Sequence, residues 1–196
     1  MMSKVLILGA NGGIARVAIE LLLREADTQL TLYLRNAQRL KYLESNRVRV
    51  IEGDALNQEK LKEAMSGQDV VYANLAGQLK KMAETIVTAM AATGLRRLIF
   101  ISSMGIYEEV PGAKYKSILD PYRDSAAIVE SSDLDYTILR PGWFTNDNEI
   151  DYETTPKGEP FKGYSVSRKS VADLVVKLAL NPSLEVGQSL GINKPE

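Results

Sequence analysis

Lys4-Val5-Leu6-Ile7-Leu8-Gly9-Ala10-Asn11-Gly12-Gly13-Ile14-Ala15-Arg16 is the stretch that decides the fold. An apolar run of strand length ends in closely spaced glycines. These open a pattern in which Ile14, Val17, Ala18, Leu21 and Leu22 share one side of a helix. The stretch is therefore a strand, a tight turn and a helix. Gly9 lets the chain turn sharply, Gly12 lets backbone approach a phosphate with no side chain between them, and small Ala15 lets the helix lie close to the strand. The first-turn N–H groups of such a helix have no partner within it, and with the helix dipole they form a seat for the pyrophosphate of a dinucleotide. An ordinary glycine-rich turn is the competing account, but the glycines stand where a strand ends and an amphipathic helix begins, which favours the dinucleotide. No Lys-Ser or Lys-Thr follows them, which argues against a nucleoside-triphosphatase loop.

The same alternation continues along the chain. Leu30-Thr31-Leu32-Tyr33-Leu34 is a second strand closing on Arg35-Asn36, and Val48-Arg49-Val50-Ile51 a third closing on Glu52-Gly53-Asp54. Asp69-Val70-Val71-Tyr72-Ala73 is a fourth, and Arg97-Leu98-Ile99-Phe100-Ile101 a fifth closing on Ser102-Ser103-Met104-Gly105. Between them, a short helix over 58–65 turns Leu61, Ala64 and Met65 inward. A longer one carries Leu79, Met82, Ala83, Ile86, Val87, Met90 and Ala91 as an apolar stripe, with Gly94 placed to stop it. A helix over 122–132, a sixth strand Tyr136-Thr137-Ile138-Leu139-Arg140 broken by Pro141-Gly142, a helix over 169–179 and a last strand over 188–192 complete the pattern. Residues 106–120 read as a loop over the carboxyl edge of the sheet. Residues 147–163 are acidic and turn-rich, the least structured part of an excursion at about 143–165 expected over the nicotinamide end. The expected fold is α/β: a doubly wound, mostly parallel Rossmann-type sheet with helices on both faces, one domain over 1–196, and ligands across the carboxyl ends of the strands.

Composition narrows the chemistry. The 196 residues, 45% of them hydrophobic, suffice for one sizeable core and are few for two. Twenty-four basic and 25 acidic side chains leave a formal charge of -1, so nothing in the balance calls for a nucleic-acid or membrane surface. Cysteine and histidine are both absent. That excludes disulfides, thiolate nucleophiles, imidazole acid–base catalysis and the usual zinc ligand sets; only carboxylate metal sites stay open, and no metal is expected. With no apolar run of membrane-spanning length and no leader pattern, a soluble, cytoplasmic chain is expected. Small and apolar residues on the helices over 79–93 and 122–132 would serve either a homodimer or a monomer's own core.

The strand ends carry the candidate site. In dinucleotide folds an acidic residue about 20 positions after the first glycine takes the ribose hydroxyls of NAD, whereas an arginine accommodates the extra phosphate of NADP. Here the second strand ends in Arg35-Asn36 with no carboxylate in that place, and a guanidinium can clasp a phosphate with two parallel hydrogen bonds. Arg39, one turn on if Ala37 begins a helix, could assist; a merely solvated Arg35 is the other account. Asp54 could accept a hydrogen bond from an adenine amino group, hold its own turn or cap the next helix.

These segments together resemble the short-chain dehydrogenase/reductase superfamily, in the NmrA-like, NAD(P)H-binding branch that also holds flavin and biliverdin reductases. The resemblance spans nearly the whole chain. It rests on Gly9-Ala10-Asn11-Gly12-Gly13-Ile14-Ala15, Gly53-Asp54-Ala55-Leu56, Asn74-Leu75-Ala76-Gly77, Ile101-Ser102-Ser103-Met104-Gly105, Leu134-Asp135-Tyr136-Thr137-Ile138-Leu139-Arg140-Pro141-Gly142 and Ser167-Arg168-Lys169-Ser170-Val171-Ala172-Asp173. It implies that the first motif, with Gly9, Asn11, Gly12, Gly13 and Ile14, holds the pyrophosphate. Arg35, beside Asn36, would meet the adenosine phosphate, and Asp54 and Ala55 would flank adenine. Asn74, Ala76 and Gly77 would line the adenosine side, and Pro141 and Gly142 would border the nicotinamide. The implied cofactor is NADP(H), with NAD(H) possible.

Family members with full dehydrogenase machinery use a serine after the fifth strand and a tyrosine followed four residues later by a lysine. Ser102 and Ser103 match the first role and Tyr122 the second, but Ala126 stands where the lysine is expected; from Tyr115 the same register gives Leu119. A phenol with a pKa near 10 is a poor base at neutral pH unless a cation lowers it, and Arg123 lies on another side of the helix from Tyr122. Packing against the sheet is the alternative role for Tyr122. Reduction of a flavin, quinone or similar flat acceptor needs mainly a well-placed hydride, and Tyr107, Tyr115, Trp143 and Phe144 are expected to roof that end, although Trp143 and Phe144 could equally close the core. The expectation is thus an NAD(P)H-dependent reductase acting on a small-molecule acceptor. An NADP(H) sensor without turnover, and an epimerase-, dehydratase- or carbonyl-reductase-like activity, are the alternatives.

Overall fold

The computed structural model describes residues 2–195. The chain runs β1 (Ser3–Leu8), α1 (Gly13–Arg24), β2 (Thr28–Leu34), β3 (Val48–Glu52), α2 (Gln58–Met65), β4 (Val70–Ala73), α3 (Leu79–Thr93) and β5 (Arg97–Ile101). It continues through α4 (Asp120–Glu130), β6 (Asp135–Pro141), β7 (Trp143–Thr145), β8 (Glu153–Pro156), β9 (Ser165–Ser167), α5 (Arg168–Leu180) and β10 (Gln188–Asn193). The strands from β1 to β6 each present alternate residues to two apolar layers. In β1, Val5 and Ile7 face the layer under α1 and α5, while Leu6 and Leu8 face the layer under α2, α3 and α4. Burial on both faces is what a parallel interior strand requires, and it explains why these segments read as unbroken apolar runs.

The main sheet has the order β3-β2-β1-β4-β5-β6-β10-β8, parallel throughout except for β8, which runs antiparallel to β10. The chain winds outward from β1 in one direction and resumes from β4 in the other, so a crevice opens between the carboxyl ends of β1 and β4. The expected doubly wound single domain is what forms. Gly94 ends α3 in the left-handed conformation with φ 72°, the stop anticipated for it. No helix among the described residues is long and apolar enough to cross a membrane, and no cluster of three or more potential metal ligands occurs among them.

Several local expectations need correction. Ala37 begins no α-helix: two short 3-10 turns, Ala37–Arg39 and Lys41–Leu43, fill the link to β3. Helix α4 starts two residues earlier than expected, at Asp120, with Pro121 in its first turn, where a missing N–H costs nothing. The excursion after β6 holds more structure than its composition suggests. Strand β7 pairs with β9 in a separate two-stranded parallel ribbon, and β8 covers the edge of β10.

Candidate functional site

The turn after β1 makes the crevice. Gly9 is its left-handed residue, φ 75°, and a Cβ there would collide with the carbonyl oxygen of Asn74 at the end of β4. Glycine is thus required twice over, by conformation and by space. Gly12 has an ordinary φ of -66° and caps α1 through its backbone alone; a Cβ on it would strike the Asn74 side-chain amide. No side chain among the described residues satisfies the first-turn N–H groups of α1, whereas Asn57 caps α2 and Ser167 caps α5. The donors at the start of α1 are left available to an anion.

Two cavities meet at this turn. The larger, about 380 Å³, is lined by Gly9, Asn11, Gly12, Arg35, Asn36, Asp54, Ala55, Asn74 and Ala76 from the expected set, with Arg39 beside them. The smaller, about 230 Å³, is lined by Ile14, Ser102, Ser103, Tyr122, Pro141 and Gly142, with Trp143 and Phe144 at its mouth. Asn74 and Leu75 border both, so the two form one trough across the carboxyl edge of the sheet. Gly13 and Gly77 line neither cavity. The trough suits an extended dinucleotide: bare backbone and free amides lie at its middle, and each end has room for one ring system.

At the larger end, Arg35 and Arg39 are exposed and no carboxylate pairs with either among the described residues. Asp54 holds its own turn, accepting from the Leu56 amide through Oδ1 at 2.9 Å, and Asn57 is the cap of the next helix. The Asp54 Oδ2 accepts from no described residue. Tyr33, read from sequence only as a strand residue, lines this cavity and donates to the Asp54 carbonyl at 2.9 Å. Gly53 is bare because a Cβ would collide with the Tyr33 ring. Burial, with the negative charges of Asp54 and Glu63, pushes the Tyr33 phenol up to about 12, so it serves as a neutral donor.

At the smaller end the polar side chains are the hydroxyls of Ser102, Ser103 and Tyr122 and the Asn74 carboxamide shared with the larger cavity. Ser102 is buried and donates to the Tyr122 carbonyl at 3.4 Å, and Ser103 donates to the Met104 carbonyl at 3.1 Å. No charged side chain among the described residues lines this cavity. Ala126, in the register of the expected lysine, is fully buried against the sheet. Arg123 is drawn off by Asp120 and Asp124. Trp143 and Phe144 are 60% and 41% exposed, so they rim the cavity and do not close the core.

Tyr107 and Tyr115 are not part of that roof. Tyr115 donates to Asp120 at 2.8 Å under the Arg123 guanidinium. Tyr107 donates to Glu130 at 2.6 Å and lies beneath Arg140 and Lys157; burial and the Glu130 carboxylate raise its pKa. Arg140, fully buried on β6, is the centre of this second cluster. It pairs with Glu109, whose carboxylate also accepts from the amides of Gly105 at 3.0 Å and Tyr107 at 2.9 Å, and it donates to Ser189 and the Thr155 carbonyl. The pair is tied to two segments that line the smaller cavity: Glu109 holds the Gly105 amide next to Met104, Arg140 precedes Pro141, and the Met104 amide donates to the Pro141 carbonyl at 3.2 Å.

A model of the NAD(P)H-binding family matches residues 9–182. No curated protein matches the sequence. Among solved structures, a Rossmann-fold NAD(P)-binding family protein from Shigella flexneri is 43% identical with a TM-score of 0.90, covering 100% of this chain and 95% of its own. A short-chain dehydrogenase/reductase from Veillonella parvula in complex with NADP is 31% identical with a TM-score of 0.89, covering 100% and 96%. The anaerobillin reductase ChuY of Escherichia coli O157:H7, at 21% identity and a TM-score of 0.84 over 99% and 98%, shares the fold. On the span of the family match and the two nearer relatives, the chain belongs to the NAD(P)H-binding family of Rossmann-fold proteins within the short-chain dehydrogenase/reductase superfamily.

Proposed function

We propose that the protein is an NADPH-dependent reductase that delivers a hydride to a small, flat, conjugated acceptor such as a flavin or a quinone. The observation that carries this reading is the contrast between the two ends of the trough: free guanidiniums at one, and at the other a largely apolar cavity whose polar side chains are hydroxyls and the shared Asn74 carboxamide, with no charged side chain among the described residues. Arg35 and Arg39 are suited to clasp the 2'-phosphate, and the relative crystallised with NADP supports that choice of cofactor. Asp54 Oδ2 can accept from the adenine amino group, and the α1 amides can receive the pyrophosphate. The bound dinucleotide supplies the hydride.

The acceptor cavity explains the choice of chemistry. Alcohol oxidation needs a strong base, and a phenol becomes one only beside a cation, which this cavity does not provide. Ser103 and Ser102 can turn their O–H groups onto an acceptor oxygen or ring nitrogen, orienting it and stabilising charge as it forms. Tyr122 is then a wall or a weak proton relay. Tyr122→Phe should lower turnover only a few-fold, well short of the roughly 100-fold loss on removing a positioned general acid, and the Ser102→Ala/Ser103→Ala double variant should cost more. Single-turnover NADPH oxidation with an acceptor found by screening flavins and quinones tests this. A collapse of the rate in Tyr122→Phe alone would restore a tyrosine-based dehydrogenase.

Cofactor choice has its own test. Trp143 is the only tryptophan of the chain and rims the acceptor cavity, so its fluorescence should fall as a nicotinamide ring arrives. The parent should bind NADPH more tightly than NADH, and Arg35→Ala should erase much of the difference; equal or tighter binding of NADH by the parent would refute the preference. The exposed aromatic rim also leaves room for a second reading, an NADP(H) sensor whose partner covers Trp143 and Phe144. Slow oxidation of bound NADPH with every acceptor would favour it.

A further inference from the structure

Gly13 lines neither cavity, yet it has a reason to be bare. A Cβ there would lie 3.0 Å from Nε and 3.3 Å from Cδ of Arg168, so the Arg168 side chain runs across the first turn of α1. Arg168 is the first residue of α5, and its backbone is fixed by the Ser167 hydroxyl, which accepts from the Ser170 amide at 2.9 Å. Its Nη1 donates to Asn146 Oδ1 at 2.7 Å and to the Thr145 carbonyl at 3.4 Å, and its guanidinium lies 5.1 Å from the Phe144 ring centre.

All of these partners are neutral. Arg140, Arg96 and Arg123 each pair with a carboxylate, but none pairs with Arg168 among the described residues. A partly buried guanidinium without a counter-charge, held against the positive end of a helix dipole, sits in a field that an anion bound there would relieve. Its Nε and Nη2, which form one side-on edge, donate to no described residue. That edge matches the spacing of two phosphate oxygens.

We propose that Arg168 is a cofactor-binding residue whose Nε–Nη2 edge donates two parallel hydrogen bonds to the pyrophosphate seated on the first turn of α1. The inference rests on the dinucleotide reading above. It adds a link that the glycine turn lacks: the same guanidinium packs on Phe144, so seating the cofactor also fixes one wall of the acceptor cavity.

Calorimetric titration of the parent, Arg168→Lys and Arg168→Met with NADPH and with adenosine 2'-monophosphate tests this without turnover. The nucleotide fits the larger cavity and has no pyrophosphate. Arg168→Met should weaken NADPH about tenfold to 100-fold, the range for hydrogen bonds to a charged group, and Arg168→Lys should recover part of the loss. Adenosine 2'-monophosphate should bind all three proteins alike. Equal NADPH affinity across the three would overturn the role of Arg168 while leaving the dinucleotide reading intact, and so would a loss of the nucleotide as large as that of NADPH. A parent that binds neither ligand would instead refute the dinucleotide reading itself.

Discussion

Alanine at Gly9 should weaken the fold severely, whereas alanine at Gly12 should leave a folded protein that binds a dinucleotide far more weakly. The two glycines are three residues apart and are bare for different reasons. At Gly9 a side chain would have to occupy the left-handed region, at about 1–2 kcal/mol, and displace the backbone carbonyl of Asn74, an overpacking cost of roughly 1–3 kcal/mol. Asn74 cannot yield, because its amide donates to the Leu8 carbonyl at 3.0 Å and holds β4 to β1. At Gly12 the φ of -66° suits any residue, and the obstacle is the end of the Asn74 side chain, which can swing aside. The methyl group then stands where the pyrophosphate must approach the α1 amides. Two lost charge-assisted hydrogen bonds correspond to a weakening on the order of 100-fold. Thermal melts and cofactor titrations on both variants separate the effects: a Gly12→Ala protein that binds NADPH like the parent would show that this glycine serves the turn alone.

Arg140→Met should be among the most destabilising single substitutions in the chain. It leaves the Glu109 carboxylate buried without its guanidinium, and breaking a buried pair on one side costs about 3–5 kcal/mol. For a chain of this size the melting temperature should fall by roughly 10 °C or more. Adding Glu109→Leu should recover part of the loss, because the stranded charge is removed. Recovery stays incomplete, since the amides of Gly105 and Tyr107 lose their acceptor. Denaturant unfolding of the two single variants and the double variant measures the coupling. An Arg140→Met protein within about 1 kcal/mol of the parent would mean that the cluster contributes little, as exposed ion pairs do.

The contrast between Gly12 and Arg140 marks what can be read from sequence. The glycine turn is legible because everything that gives it meaning is local: a strand before it, a helix after it, and a spacing set by backbone geometry. The same holds for β1, β4 and β5, whose apolar runs are long enough to show burial on both faces. Arg140 is hidden because its neighbours Ile138 and Leu139 read as an ordinary strand, and the carboxylate that permits its burial comes from Glu109, inside a loop without periodicity. Strands β7 and β9 are three residues each, too short for any period, and β8 is an edge strand, Glu153-Thr154-Thr155-Pro156, with no apolar face to betray it. Tyr107 and Tyr115 were expected at the roof on proximity in sequence, but carboxylates on α4 take both hydroxyls. Arg168 was visible as part of a motif, yet its contacts with Gly13 and Phe144 exist only once α5 has docked beside α1.

That docking has a consequence for the order in which the molecule can assemble. The inner face of α1, near the start of the chain, is buried against α5, near its end. The glycine turn therefore leaves the ribosome well before its partner helix and stays incomplete until about 150 further residues have followed it. A contact of such sequence separation forms late, after much loop-closure entropy has been spent. Ile14, Ala18, Ile19 and Leu22 on α1 share one core with α5, so a chain that ends before α5 should keep its glycine turn on a half-covered, aggregation-prone helix.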